Sequence, residues 1–168
     1  MILTALALTV LFRRSLPEVL RERIMAPIGA SADWSWHGYA DAVVELAGRR
    51  VPVVSGGAHW GGGLWISAVD LARLGQLCLR GGPVSTRWIA HRWRPSPVKP
   101  AYGLSWWLND QRHRLADGPT TGRCARGDGG AHLLWLDPAR DLVVSSRWGT
   151  HVESLLAEVS AAIEPSAG

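Results

Sequence analysis

The chain has 168 residues, 47% of them hydrophobic and 19% charged, which is long enough and apolar enough to bury a sizeable core and excludes a disordered segment. Its formal net charge is +4, but all but one of its 18 basic residues are arginines scattered along the chain, so the charge makes no patch for nucleic acid and no recognisable binding motif accompanies it. Two cysteines, Cys78 and Cys124, are too few to define a disulfide framework and leave the redox compartment open.

Residues 2–12 are apolar and predict a helix, too short to span a bilayer. Arg13 and Arg14 follow the run instead of preceding it, the reverse of the order expected of a signal peptide. The plainest reading is a core helix whose partner surface lies elsewhere. Ser15 with Glu18 three residues later predicts a capping box for a second helix reaching about Met25, stopped near Pro27 and Gly29. Residues 33–52 read as loop with a short hairpin around Gly48, Arg49 and Arg50.

Gly56, Gly57 and Gly61 to Gly63 surround His59 and Trp60 and release the backbone there for positive φ or close approach to another group. Ser67 then stands as the N-cap of a third helix, Ala68 to Leu79, with Asp70 near the positive end of its dipole and Arg80-Gly81-Gly82 as the stop. A short helix follows around Ser85 to Trp93. Strands are predicted over Tyr102 to Leu108, Arg123 to Arg126, His132 to Leu136 and Leu142 to Trp148, the last two joined at residues 137–141. A terminal helix, about His151 to Ile163, repeats Val152, Leu155, Leu156 and Val159 at helical spacing.

These elements make a mixed α+β architecture, an antiparallel sheet backed by the terminal helix with the other helices in a second layer. Trp88, Trp93, Trp106, Trp107, Trp135 and Trp148 are expected to pack in the core or between layers. The six histidines are far apart and none has a second ligand one helical turn away with a carboxylate between, so no metal site and no cofactor is expected. The string Ser96-Pro97-Val98-Lys99 contains the only lysine. A serine–lysine nucleophile needs a helix that brings the lysine one turn from the serine, whereas Pro95, Pro97 and Pro100 predict an extended loop.

Four blocks carry a family resemblance. Residues 16–31, L-P-E-V-L through I-M-A-P-I-G-A-S, continue into Trp34-Ser35-Trp36-His37-Gly38-Tyr39; residues 61–75 read G-G-G-L-W-I-S-A-V-D-L-A-R-L-G; residues 102–109 read Y-G-L-S-W-W-L-N; and Ala125-Arg126-Gly127-Asp128-Gly129-Gly130 precedes Leu136-Asp137-Pro138 and Asp141-Leu142-Val143-Val144. In this order they resemble the serine β-lactamase-related hydrolases: class C-type β-lactamases, penicillin-binding-protein-like esterases and 6-aminohexanoate-dimer hydrolases.

The resemblance implies a single incomplete domain over residues 1–168, a partial β-lactamase/transpeptidase-like fold corresponding to the C-terminal portion of such an enzyme. The S-x-x-K nucleophile and Y-x-N motifs of that group lie on the N-terminal side of the matched blocks and are not found at the expected place in this sequence. The expected chemistry of the complete enzyme is acyl transfer through a serine, with lysine and tyrosine passing the proton and two backbone N–H groups holding the oxyanion. The small-molecule substrate is an amide, an ester or a β-lactam, and the isolated chain is expected to be inactive. If Ala125-Arg126-Gly127 occupies the K-T-G positions, the backbone N–H of Asp128 is the second oxyanion donor, and Arg126, Gly127, Gly129 and Gly130 join His59 and Trp60 as substrate-binding residues.

Two features stand against that assignment. Ala125 replaces the motif's cation, leaving Arg126 to offer one, and the Asp128 carboxylate opposes a developing oxyanion unless it points away or is paired. Residues 127–130 also suit a plain turn chosen for its geometry. The alternative function is a non-catalytic remnant or ligand-binding module that keeps the cleft wall. The expected partners beyond substrate are a complementing N-terminal half or a second copy, because a sheet edge at Leu142 to Trp148 and the apolar helix would otherwise lack cover.

Overall fold

The computed structural model describes residues 2–54, 63–112, 116 and 118–164. Its contacts gather into two compact units, Met1–Asp70 and Leu71–Gly168. Among the described residues no helix is long and apolar enough to cross a membrane.

In the first unit the apolar run forms α1 (Ile2–Phe12). Ala5 and Thr9, one turn apart, are buried, while Leu3, Val10 and Leu11 are exposed. Buried Thr9 satisfies its hydroxyl by donating from Oγ1 to the Ala5 carbonyl at 2.8 Å, the local route open to a helical threonine. Ala5 packs in one cluster with Leu16, Val53 and Val54. The second helix begins where expected, α2 (Leu16–Leu20), and continues as a wide π turn over Arg21–Met25. The capping box does not form: Ser15 makes no side-chain cap bond. Glu18 lies 3.5 Å from Arg14 instead, a charged partner a neutral backbone amide does not match. Arg14 also meets Glu22 at 2.7 Å, and this contact holds the Glu22 carboxyl below its ordinary range.

Residues 33–52 are more ordered than a loop. Strands β1 (Ser35–His37), β2 (Val43–Leu46) and β3 (Arg49–Pro52) form there, and β1 pairs antiparallel with β4 (Gly63–Trp65). The expected hairpin is β2–β3, with Leu46 opposite Arg49. Its two-residue turn places Ala47 and Gly48 at φ 50° and 74°, the double positive φ that matches strand twist. The pairing of β1 with β4 is missed by a local reading, because its partners are 26 residues or more apart. Helix α3 (Ala68–Arg80) starts as predicted, with the Asp70 N–H donating to Ser67 Oγ at 3.0 Å. Asp70 does more than face a dipole. Its carboxylate is 1% exposed and accepts from the Ser31 N–H and hydroxyl at 3.1 and 2.6 Å, fixing the segment that precedes β1.

The second unit is built on one antiparallel sheet in the order β5 (Trp107–Leu108), β6 (Arg123–Gly127), β7 (His132–Asp137), β8 (Leu142–Ser146). Strand β7 is buried on both faces, and the two-residue period sorts its side chains. Leu133 and Trp135 join Cys124, Val152 and Leu156 in a cluster with α5 (Val152–Ala162). Leu134 and Leu136 join Trp106 and Leu108, with Leu71, Cys78 and Leu79 of α3 packed against them. The unit is therefore a helix–sheet–helix sandwich. Cys78 and Cys124 form no disulfide with each other and belong to opposite faces of the sheet.

Three further expectations change. Only Trp107–Leu108 of residues 102–108 is strand, because the chain turns back so that Gly103 N–H bonds to the Trp106 carbonyl and Tyr102 bridges Trp107. A Cβ on Gly103 would strike the Arg92 carbonyl oxygen, so this turn needs glycine. In α5 the buried stripe is Val152, Leu156 and Ser160, and Leu155 is half exposed. Of the six tryptophans expected inside, Trp106 and Trp135 are core, Trp93 and Trp107 are half-buried, and Trp88 and Trp148 are 53% and 72% exposed. The short helix α4 (Thr86–Arg92) forms as predicted, capped by Ser85 Oγ accepting from the Trp88 N–H at 3.3 Å.

Gly75 sits in the α3 stripe with Leu71, Cys78 and Leu79, where a helix interior ordinarily disfavours glycine by about 1 kcal/mol. A Cβ there would lie 2.6 Å from Val143 Cγ1 and 3.0 Å from Leu134 Cδ1. The missing side chain sets how closely α3 approaches the sheet. We expect Gly75→Ala to destabilise the chain by about 1–3 kcal/mol despite its better helix propensity, read as a lower denaturant midpoint; an unchanged or raised midpoint would show that the helix is not pinned at this distance.

The C-terminal turn of α3 is tied to the β7–β8 connection by Arg80, whose guanidinium engages both carboxylate oxygens of Asp141. The hydrogen bond from Arg80 holds the Asp141 carboxyl below its ordinary value, so the stabilisation is present above the usual carboxylate range and is lost as pH falls through the depressed value. Asp141 adopts φ 47°, which asparagine also tolerates. Asp141→Asn is accordingly expected to melt below the wild type at neutral pH, with the gap in melting temperature closing on acidification. A gap of constant size at all pH values would exclude the ion pair as its cause.

Candidate active-site wall

The segment expected to carry substrate contacts is the end of β6 and the turn that follows. Strand β5 covers β6 only through Trp107 opposite Cys124 and Leu108 opposite Arg123. Beyond that point Ala125, Arg126 and Gly127 pair with Leu134, Leu133 and His132 of β7 on one side, and among the described residues no strand pairs with them on the other. A β-strand edge of this kind presents backbone groups to whatever lies beside it.

Alternation decides which way the side chains go. Ala125, opposite Leu134, packs with the α3-side cluster. Arg126, opposite Leu133, is on the α5 side, where its Nη1 donates to Glu153 Oε1 at 2.9 Å. The cation next to Ala125 in sequence is thus on the other face of the sheet, joined to the first turn of α5. Burial of this pair is unequal, with side-chain exposures of 22% for Arg126 and 61% for Glu153.

The turn itself occupies residues 128–130, with Gly129 at φ 62° and Gly130 at φ 109°. Both values favour glycine. Gly130 has a second reason, since a Cβ there would come within 2.5 Å of Arg126 Nη2. Gly127 differs from both. Its φ is not positive, and the nearest atom to an added Cβ is His132 Cβ at 3.9 Å. The fold around Gly127 leaves room for a side chain that the sequence does not supply. The backbone N–H of Asp128 follows directly after Gly127 where β6 ends.

Arg126, Gly130, Gly149, His151 and Glu153 line a cleft of about 490 Å³ between this turn and the start of α5. Its far wall is held by two bonds to the start of β7: the Gly149 N–H donates to the Ala131 carbonyl at 3.0 Å, and the Trp148 N–H donates to His132 Nδ1 at 3.2 Å. The His132 ring meets Trp148 edge-on, 4.4 Å between centroids. Trp148 holds φ 59°, a conformation that costs a bulky residue about 1–3 kcal/mol and persists only where its surroundings enforce it. Position 148–151 carries no motif, so this half of the cleft was not legible in the sequence. His59 and Trp60, the other expected substrate contacts, lie outside the described residues.

Ser96 and Lys99 do not form a nucleophile pair. The segment is non-helical as expected, Ser96 Oγ accepts from the Val98 N–H at 3.3 Å, and the Lys99 ammonium sits 4.5 Å from the centre of the Trp107 ring. A serine–histidine contact does occur on β1, Ser35 Oγ to His37 Nε2 at 2.8 Å. Its histidine packs on Trp65 with 4.8 Å between ring centroids, a cross-strand surface cluster in the first unit.

The structure is similar to that of a β-lactamase from Mycobacterium bovis, with a TM-score of 0.54 and 20% sequence identity over 87% of this chain and 54% of that one. The fold is β-lactamase-like. An identity this low speaks for the fold alone, and this chain spans about half the length of that β-lactamase. No protein-family description matches the sequence, and no curated protein matches it.

The three glycines separate structural need from access. Gly130→Ala is expected to destabilise by about 1–3 kcal/mol because it combines positive φ with the Arg126 contact. Gly127→Ala is expected to stay within about 0.5 kcal/mol of wild type. Thermal melts of the two variants check this. Equal losses would mean that Gly127 also serves the fold, which would remove the evidence that its bare edge is kept for access.

Proposed function

We propose that this chain forms the C-terminal, third-motif-bearing part of a β-lactamase-related serine hydrolase, and that the end of β6 is one wall of its acyl-transfer cleft. The observation that carries the reading is Gly127, bare of a side chain on a strand edge that no described strand covers, although neither its backbone angle nor its described neighbours demand glycine. An acyl group lying against that edge would demand it. The four sequence blocks and the β-lactamase-like fold support the same reading.

In this reading the substrate carbonyl lies beside Gly127, and the backbone N–H of Asp128 donates to the oxyanion that forms when a serine attacks. The serine, lysine and tyrosine belong to a second segment, and the acyl-enzyme ester on that serine is released by water. The amide, ester or β-lactam substrate is bound between the two parts. The β8 edge and the exposed apolar residues of α1 are the surfaces that a complementing N-terminal half or, without it, a second copy would cover.

The chain alone is expected to show no turnover of an activated ester or a chromogenic cephalosporin, and no labelling by a fluorophosphonate. A second polypeptide carrying S-x-x-K and Y-x-N, if encoded directly upstream, is expected to restore both when co-expressed. In that complex Gly127→Ala should lower kcat/KM by about 10²-fold, the effect of displacing a substrate by about an ångström, with its melting temperature unchanged. Stoichiometric labelling of the chain alone that disappears in Ser96→Ala would overturn the proposal. An active complex indifferent to Gly127→Ala would move the cleft away from β6 and favour a plain structural turn.

A further inference from the structure

We propose that Trp148 is a specificity-determining residue of the wall at Gly127, and that the acyl group it selects is apolar and carries an aromatic ring; this rests on the reading of the β6 end as one wall of the acyl-transfer cleft. Gly127 and His132 are register partners on β6 and β7. The atom nearest an added Cβ on Gly127 is His132 Cβ, at 3.9 Å, so the bare position opens onto the imidazole. By alternation this is the face of Ala125 and Leu134, away from Arg126 and Glu153. On that face the imidazole meets the Trp148 indole edge-on, with 4.4 Å between centroids.

Neither burial nor backbone ease accounts for a tryptophan at position 148. The residue is 72% exposed, and its φ of 59° suits glycine or asparagine far better than a bulky side chain. At Gly127 the fold accepts a side chain that the sequence withholds; at Trp148 the sequence supplies one that the fold does not bury. His132 holds that residue in place by accepting the Trp148 N–H at Nδ1, 3.2 Å away. An accepting nitrogen carries no proton, so the ring proton sits on Nε2 and the imidazole in this arrangement is uncharged. Trp148 follows β8, which flanks β7 on the side away from β6. The imidazole therefore stands between the β6 edge and the residue that bears the indole. Neighbouring strands lie about 4.8 Å apart, so a propionyl group at Gly127 stops at the imidazole, whereas the ring of a 3-phenylpropionyl group extends to the indole and gains an aromatic contact.

The test is an NMR titration of the whole chain with propionamide and 3-phenylpropionamide, following the Gly127 backbone amide and the Trp148 indole N–H. The aryl probe is expected to bind more tightly and to shift both signals. Trp148→Asn, which removes the indole but suits the same φ, should weaken the aryl probe by about threefold to tenfold, the range of one aromatic contact, and leave propionamide unchanged. Trp148→Tyr should restore most of the loss. Probes that shift Gly127 with affinities indifferent to Trp148→Asn would overturn the role of the indole while leaving the wall. An aryl probe that shifts the indole but not Gly127 would likewise overturn it, since the indole would then serve some other contact. If neither probe shifts Gly127, the wall itself is lost, and the inference with it.

Discussion

The second unit depends on the burial of β7 from both sides. Four consecutive residues, Leu133 to Leu136, are each 6% exposed or less and alternate between the α5 cluster and the α3 cluster. Each such side chain contributes about 1.5–3 kcal/mol when taken from water, so this one strand outweighs any polar contact in the unit. Placement of β6 and β8 follows, since each pairs along β7 in register. Two glycines accommodate the close layers: Gly75 lets α3 approach the sheet, and Gly122 gives way to the indole of Trp135, which a Cβ there would overlap.

The candidate wall inherits its geometry from that core. Once Leu133 is committed to the α5 side, its partner Arg126 must face the same way, and Ala125 must face α3. The separation of the cation from the alanine is a consequence of strand alternation. Glu153 meets Arg126 because Val152, its neighbour in the first turn of α5, is buried against the sheet. The ion pair adds little to stability, about 0–1 kcal/mol at this exposure.

Positive backbone angles recur at the same end of the sheet. Gly129, Gly130 and Trp148 all hold positive φ within the two connections that meet there, and the Trp148 and Gly149 N–H groups bond back to residues 131–132. For glycine that conformation is inexpensive, and for tryptophan it is not. The wall beside the turn is thus held by paired contacts that over-determine it, while among the described residues no strand pairs with the outer edge of Gly127.

Much of the fold was legible in the sequence because it is written in short range. The apolar periods located α1, α3, α5 and strands β6 to β8 to within a few residues; Ser67 and Ser85 cap helices as their position suggests; prolines kept residues 95–100 out of helix, though the segment bends where an extended loop was expected; and Gly48 marked the β2–β3 turn. The α+β class and the β-lactamase-like fold follow from those elements and their order. Tertiary structure alone decided what depends on distant partners: that Glu18 turns to Arg14 and leaves the Ser15 cap unmade, that β1 finds β4, that Tyr102 to Trp106 folds back on itself, and that Trp88, Trp148 and Leu155 stay outside. It also decided that Arg126 answers to Glu153, 27 residues away. A sequence states which side chains carry charge, but their partners are chosen by which strand faces a helix, and only packing in three dimensions fixes that.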